Sequence, residues 1–207
     1  MEPPIRRSYN SQSRLRAAAH NRDVIVEAAR ELFSRDGFDA VTIDAVAARA
    51  GVSAASVYAQ FKSKAGLLRV ILRAAMFSAR YQAAAARLDE TSSPVEQLRL
   101  CAGVARATWE TETRELGLLR GASAVSADLR QLEQAFEAER YDALAPRIAR
   151  LAEAGLLAVP VEEARRVLWM YTGRDVYRMM VTEGAWSPER FEAWLADTLV
   201  ATLTLNR

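Results

Sequence analysis

Thr42-Ile43-Asp44-Ala45-Val46-Ala47-Ala48-Arg49-Ala50-Gly51-Val52-Ser53-Ala54-Ala55-Ser56-Val57-Tyr58-Ala59-Gln60-Phe61 is the stretch whose reading decides the architecture. Ile43, Val46, Ala47 and Ala50 recur at three- and four-residue intervals, the period of one helix face, and Val57 and Phe61 repeat that spacing further on. Thr42 is placed to cap the first helix, with Asp44 in its first turn, where negative charge suits the helix dipole. Ala50-Gly51-Val52-Ser53 then interrupts the period. Gly51 can take positive φ in a tight turn, and Ser53 can cap the helix that follows. Two short helices about a tight turn, with the small Ala47 where they must approach, form a helix-turn-helix pattern.

On the N-terminal side, Val24, Ile25, Ala28, Ala29, Leu32 and Phe33 mark an amphipathic helix ending near Asp36, with Gly37 suited to its C-terminus. Residues 1–13 hold Pro3, Pro4, Ser8, Asn10 and Ser11 with almost no apolar content, and read as a flexible basic arm. Arg6, Arg7, Arg14, Arg16 and Arg22 give the first 22 residues a charge of +4. Such an arm can follow a phosphate backbone or enter a minor groove, and it is equally consistent with a solvated tail. Charge is divided along the whole chain: residues 1–80 hold 13 basic against 7 acidic side chains (+6), and the remainder 15 against 19 (−4). A basic N-terminal part is what a polyanion-binding domain requires.

From Gly37-Phe38-Asp39-Ala40-Val41-Thr42-Ile43, through Ala47 to Ser53, to Tyr58-Ala59-Gln60-Phe61-Lys62-Ser63-Lys64-Ala65-Gly66-Leu67-Leu68, the chain resembles the DNA-binding domain of tetracycline-repressor-type (TetR family) transcriptional regulators. The resemblance covers roughly residues 20 to 70. It implies an all-α homodimer in which an N-terminal three-helix helix-turn-helix domain, residues 14–62, is joined by a long helix to a C-terminal ligand-binding and dimerisation domain, residues 63–207, about nine helices in all. It also implies a sequence-specific DNA-binding regulator, a repressor released from a palindromic operator by a small-molecule effector, with no catalytic activity. The segment from Ser53 to Phe61 becomes the recognition helix. Ser53, Ala54, Ala55, Ser56, Tyr58, Ala59 and Gln60 are its DNA-facing residues, with Thr42 and Lys64 expected at phosphates. The family more often has glycine at the place of Ala55 and a bulky residue at Ala59, so this helix brings few strong donors and no Arg or Lys to base edges.

From Ser63 a helical pattern runs through Leu67, Ile71, Leu72, Met76 and Ala83 and stops before Thr91-Ser92-Ser93-Pro94. Further helical segments span Pro94 to about Thr111, Glu112 to about Gly121, Asp128 to about Ala154, Val161 to about Val181 and Ser187 to Leu205, with no convincing strand. In the last, Ser187 precedes Pro188 as a cap before a proline at the first helical position. Its stripe Phe191, Trp194, Leu195, Thr198, Leu199 and Thr202 is expected at the dimer interface or in the chain's own core. Met76, Phe77, Tyr81, Trp109, Leu119, Phe136, Tyr141, Met170, Tyr171, Arg174 and Tyr177 are the candidate pocket residues, core packing being the competing reading for each. Arg174 is the candidate anchor for a carboxylate, unless Asp175 neutralises it.

Other classes find little support. The carboxylate pairs Glu162-Glu163 and Asp89-Glu90 sit on adjacent helical positions that point about 100° apart, so they do not converge on a substrate. No phosphate loop, nucleophile elbow or HExxH pattern is present. One Cys and one His make neither a disulfide nor an ordinary metal site, so no cofactor and no metal are expected. No apolar run nears the roughly 18 residues of a membrane span, and Met-Glu-Pro-Pro-Ile-Arg-Arg lacks the features of a secretory signal, which gives a cytoplasmic expectation with no membrane partner. A DNA-binding dimer without a small-molecule switch is the alternative.

Overall fold

A computed structural model describes residues 11–110 and 127–205. The chain divides into two compact units, Met1–Ile71 and Leu72–Arg207. The sequence places that division between residues 62 and 63. In the structure it falls inside a helix.

In the first unit, α1 (Ser11–Asp36) includes residues 11–13, the last part of the expected arm; residues 1–10 lie outside the described ones. Its stripe of Ile25, Ala28, Ala29, Leu32 and Phe33 is buried. Gly37, at φ +82°, ends the helix by donating its N–H to the Phe33 carbonyl at 3.1 Å. Phe38 then folds back, its ring 5.2 Å from that of Phe33.

Helix α2 (Ile43–Ala50) starts where the Thr42 hydroxyl accepts the Ala45 N–H at 3.1 Å. It stops at Gly51, φ +68°, where the Gly51 and Val52 N–H groups return to the Ala48 and Ala47 carbonyls. These are the two bonds of a Schellman motif, which satisfy orphan carbonyls at the helix end. Ser53 caps α3 (Ala54–Phe61) by accepting the Ser56 N–H at 3.2 Å, and Val57 and Phe61 turn inward onto the α1–α2 core. Helix α4 (Lys64–Met76) follows at once. Gly66 is required there, because a Cβ at this position would stand 2.1 Å from the Phe61 carbonyl oxygen.

The second unit begins within α4. The long helix expected from Ser63 to before Thr91 is two helices, α4 and α5 (Ala79–Glu90). Ser78 sits in extended backbone and caps α5 by accepting the Tyr81 N–H at 3.4 Å, so the apolar period continues across a real break. Next come α6 (Pro94–Trp109), α7 (Ala127–Ala143), α8 (Ala145–Glu153) and α9 (Val161–Tyr171). The expected segment 128–154 is divided at Leu144, because Pro146 has no N–H for the preceding turn and its ring crowds the carbonyl four residues back. The segment expected from Glu112 to Gly121 lies outside the described residues. Helix α10 (Arg174–Tyr177) opens directly into a π-helical turn, Arg178–Glu183. The last helix, α11 (Pro188–Leu203), is capped as the sequence anticipates, with the Ser187 hydroxyl accepting the Arg190 N–H at 3.2 Å.

Helix α6 packs between α5 and α11, where Ala102 and Ala105 are small enough to let the backbones close in. Leu98, Cys101 and Trp109 of α6 meet Phe191, Leu195, Leu199 and Leu203 of α11, with Ile148, Leu151 and Leu168 closing the core. Burying each such side chain contributes about 1.5–3 kcal/mol before ordering costs. The stripe expected at the dimer interface or in the chain's own core divides accordingly. Phe191, Leu195 and Leu199 are fully buried in the chain's own core, while Trp194 and Thr198 are half-buried and Thr202 is exposed. Among the described residues the only extended pairing is one antiparallel bridge, Leu157 to Thr204, and no helix is long and apolar enough to cross a membrane.

Candidate DNA-binding face and effector cavity

On the first unit, α3 presents a small, mildly polar outer face. Tyr58 is 52% exposed, Ala55 and Ala59 are exposed, and Ala54, Ser56 and Gln60 are half-buried. The Ser53 and Ser56 hydroxyls lie 2.8 Å apart and share one hydrogen bond, which leaves acceptor capacity pointing outward from the helix start. Thr42 is exposed at the start of α2, with its oxygen already engaged by Ala45.

Lys64 stands apart from this group. Its ammonium donates to the carbonyls of Phe38 at 2.8 Å, Asp39 at 3.2 Å and Val41 at 2.9 Å, and lies 4.4 Å from the centre of the Phe38 ring. An ammonium has three N–H donors, so all three are engaged. The geometry makes Lys64 a tie between the start of α4 and the α1–α2 loop, where the sequence suggested a phosphate contact. Lys62, missed in the sequence reading, is exposed at φ +68° and donates to the Ala59 carbonyl at 3.1 Å. A non-glycine residue with positive φ is uncommon enough to mark the α3–α4 corner as tightly constrained.

The second unit holds a partly open cavity of about 370 Å³, at the small end of sizes that hold drug-like ligands. Met76, Phe77, Tyr81, Trp109 and Phe136 of the anticipated pocket line it. Leu119 lies outside the described residues. The other anticipated residues have different duties. Tyr141 carries the Arg165 guanidinium over its ring at 3.9 Å and donates its hydroxyl to Glu162 at 3.4 Å. Met170 is 49% exposed, Tyr171 packs edge-on to Trp194, and Tyr177 is buried against Phe191 with ring centres 4.9 Å apart. Arg174 is not among the lining residues, and Asp175 lies 3.6 Å from Arg178.

Besides Tyr81, the polar groups of the cavity come from positions that the sequence did not place in a pocket: Thr108, Glu139, Arg140, Arg147 and Thr172, together with Cys101. Arg140 donates to Glu137 at 2.7 Å, the Trp169 carbonyl at 2.8 Å and the Thr172 hydroxyl at 3.2 Å, closing the end of α9. Trp109 reinforces the same corner, its indole N–H donating to the Thr172 carbonyl at 2.9 Å. Arg147 donates to Asp89 at 2.7 Å. Burial pushes the Cys101 thiol up to about 12, with Arg147 pulling slightly the other way, so the thiolate that a reactive cysteine needs is suppressed. Burial likewise raises the Tyr81 phenol, and Arg147 opposes it.

Residues 25–71 match the family described as bacterial regulatory proteins, tetR family. The chain carries a TetR-family N-terminal domain. Solved structures similar over both units include NalD of Pseudomonas aeruginosa, the secondary repressor of the MexAB-OprM multidrug efflux pump, at 22% identity, covering 93% of this chain and 100% of that one, TM-score 0.70. FadR of Bacillus subtilis in complex with stearoyl-CoA is 17% identical over 86% of this chain and 97% of that one, TM-score 0.65. A SmeT–triclosan complex is 19% identical over 90% and 93%, TM-score 0.68. At these identities the likeness establishes the fold. No curated protein matches the chain.

Within the TetR-family domain, the match ends at Ile71, the residue that also closes the first compact unit. The caps Thr42 and Ser53 and the turn at Gly51 were readable locally. The role of Gly66 was not, because its requirement comes from the approach of the Phe61 carbonyl and not from its own backbone conformation.

Proposed function

We propose that the protein is a sequence-specific DNA-binding transcriptional regulator, acting as a two-fold homodimer that represses from a palindromic operator until a small-molecule effector releases it. The carrying observation is the pairing of an outward-facing α3, whose Val57 and Phe61 fix it to its domain, with a polar-anchored cavity in the second unit. Ser53, Ala54, Ala55, Ser56, Tyr58, Ala59 and Gln60 form the reading face, with Thr42 beside it and Lys64 setting the angle of the corner. Ser56 and Gln60 supply polar contacts, the alanines suit thymine methyl groups, and Tyr58 suits a phosphate. With so few donors, DNA shape and the basic arm carry more of the selectivity.

One short helix reads only a few base pairs, which favours a dimer on half-sites one turn apart or a multiple of that. Trp194, Thr198 and Thr202 are what α11 retains for a partner once its core stripe is spent. Helix α4 carries Lys64 at its first residue and Met76 of the cavity lining at its last, so it is the element through which occupancy would reach the DNA face. An effector must favour the low-affinity conformation, and operator DNA then weakens effector binding by the same factor. The cavity favours this reading over a dimer with no small-molecule switch. Relatives solved with stearoyl-CoA and triclosan support the same choice. Turnover of a substrate forms no part of the proposal.

Selection of bound sequences from a random or genomic DNA pool, followed by binding to the enriched site across a salt series, tests it. A palindrome with a steep salt dependence is expected. Failure of folded protein to enrich any sequence would overturn the assignment.

A further inference from the structure

We propose that the cavity selects amphiphilic monocarboxylates, that Arg147 reads the acid head, and that Asp89 is the chain's own surface carboxylate that such a ligand displaces. The inference rests on the effector reading above and names the ligand class for the same cavity.

Three charged side chains line the cavity, Glu139, Arg140 and Arg147, and they differ in how their bonds are committed. Arg140 is spent on Glu137, the Trp169 carbonyl and the Thr172 hydroxyl, bonds that hold the end of α9 together. Glu139 is paired with Arg73. Arg147 has one partner among the described residues, Asp89, through a single terminal nitrogen. A guanidinium has five N–H donors in a plane, and both of its bidentate edges, Nε with Nη2 and Nη1 with Nη2, include the nitrogen that Asp89 now holds, so an incoming carboxylate gains a full fork by taking the place of Asp89.

The two ends of this pair sit in different environments. The Arg147 side chain is 21% exposed, whereas Asp89 is 67% exposed. An arginine held largely out of water binds an anion more strongly than a surface one. Its present counter-ion is mostly hydrated already, so releasing it to solvent costs little. A carboxylate entering from the cavity would therefore replace a carboxylate from the surface, with two parallel N–H···O bonds available to it, and the charge of the site would not change. Arg147 lines the same cavity as Tyr81 and Cys101. The rest of the wall, with Met76, Phe77, Leu88, Trp109 and Phe136, accommodates an apolar body.

The test measures thermal stabilisation and calorimetric affinity of the full chain for decanoate, 1-decanol and decyltrimethylammonium, below micelle-forming concentrations and at about pH 8, where the acid is ionised. Decanoate is expected to bind at least about tenfold more tightly than decanol, a margin of one charged bidentate contact. Arg147→Gln should erase that preference while leaving decanol binding in place, and Arg147→Lys should retain part of it. Asp89→Asn, which removes the competing carboxylate and leaves the arginine intact, should tighten decanoate alone. Equal binding of acid and alcohol, tighter binding of the ammonium, or an unaltered acid preference in Arg147→Gln would overturn the inference while the effector cavity stands. No binding of any of the three to folded protein would overturn both.

Discussion

Replacing Lys64 by methionine keeps the unbranched stem and removes the ammonium, which separates the two roles open to this residue. Three donated hydrogen bonds are lost, at 2.8, 2.9 and 3.2 Å, together with the cation over the Phe38 ring. Bonds from a charged donor contribute about 1.5–3 kcal/mol each, and a partly exposed cation–π contact about 0.5–1 kcal/mol. The Asp39 carbonyl is exposed and turns to water at little cost, whereas the carbonyls of Phe38 and Val41 are partly buried. Relief of the ammonium's own desolvation offsets part of the loss. The net destabilisation of the first unit is expected to be about 2–4 kcal/mol, each kcal/mol moving the Tm of a unit of this size by about 4–8 °C. The assay is urea unfolding and hydrogen exchange of the full chain, with operator binding measured across a salt series. A phosphate contact contributes about 0.9 to the slope of log affinity against log salt, so an internal tie leaves the slope unchanged. Unchanged stability with a slope reduced by about two, one contact in each protomer of the dimer, would refute the assignment of Lys64 as a tie and restore it to the DNA contacts.

Gly66→Ala forces a Cβ against the Phe61 carbonyl oxygen and should cost at least about 1–3 kcal/mol and weaken operator binding by displacing the α3–α4 corner; a melting curve and a gel-shift titration check both. Tyr58→Phe, at an exposed ring, should leave stability within about 0.5 kcal/mol while lowering operator affinity roughly tenfold or less, whereas Phe61→Ala should destabilise by about 3–5 kcal/mol. Arg106 donates to Glu110, Glu192 and Glu189 and joins α6 to α11. The hydrogen bond from Arg106 holds the Glu110 carboxyl below the usual range, against a smaller upward push from partial burial. Because its folded pKa is depressed, Glu110 adds stability above its unfolded pKa of about 4.3, and that stability is lost as pH falls through the folded value. Arg106→Ala should therefore cost about 1–3 kcal/mol near neutrality and progressively less in acid, read from unfolding midpoints over a pH series.

The helix-turn-helix was legible because its determinants are local: a capping hydroxyl at Thr42 or Ser53 and a positive-φ glycine at Gly51 act within four residues of themselves. The division of the C-terminal helices was less so. Ser78 interrupts a helix without interrupting its apolar period, and periodicity alone reads straight across it. The cavity was half legible for a related reason. A stripe reports that a face is covered, but Tyr177 covered by Phe191 and Phe136 beside an empty space look alike in sequence. The same ambiguity leaves Phe191, Leu195 and Leu199 open in sequence between a partner and the chain's own core, where they are buried. Arg147 gave no signal, since its importance depends on a residue 58 positions away.

The indole of Trp109 has a practical consequence. Of the four tryptophans, Trp169 lies beside Tyr141 and Arg140, and Trp186 and Trp194 lie against each other, whereas Trp109 is in the cavity wall with its N–H fixed to a backbone carbonyl. A chain with phenylalanine at the other three positions would carry one tryptophan fluorophore, buried and in the wall of the cavity. The emission wavelength of that single indole, excited apart from the tyrosines, would then test for occupancy of the cavity without any added label.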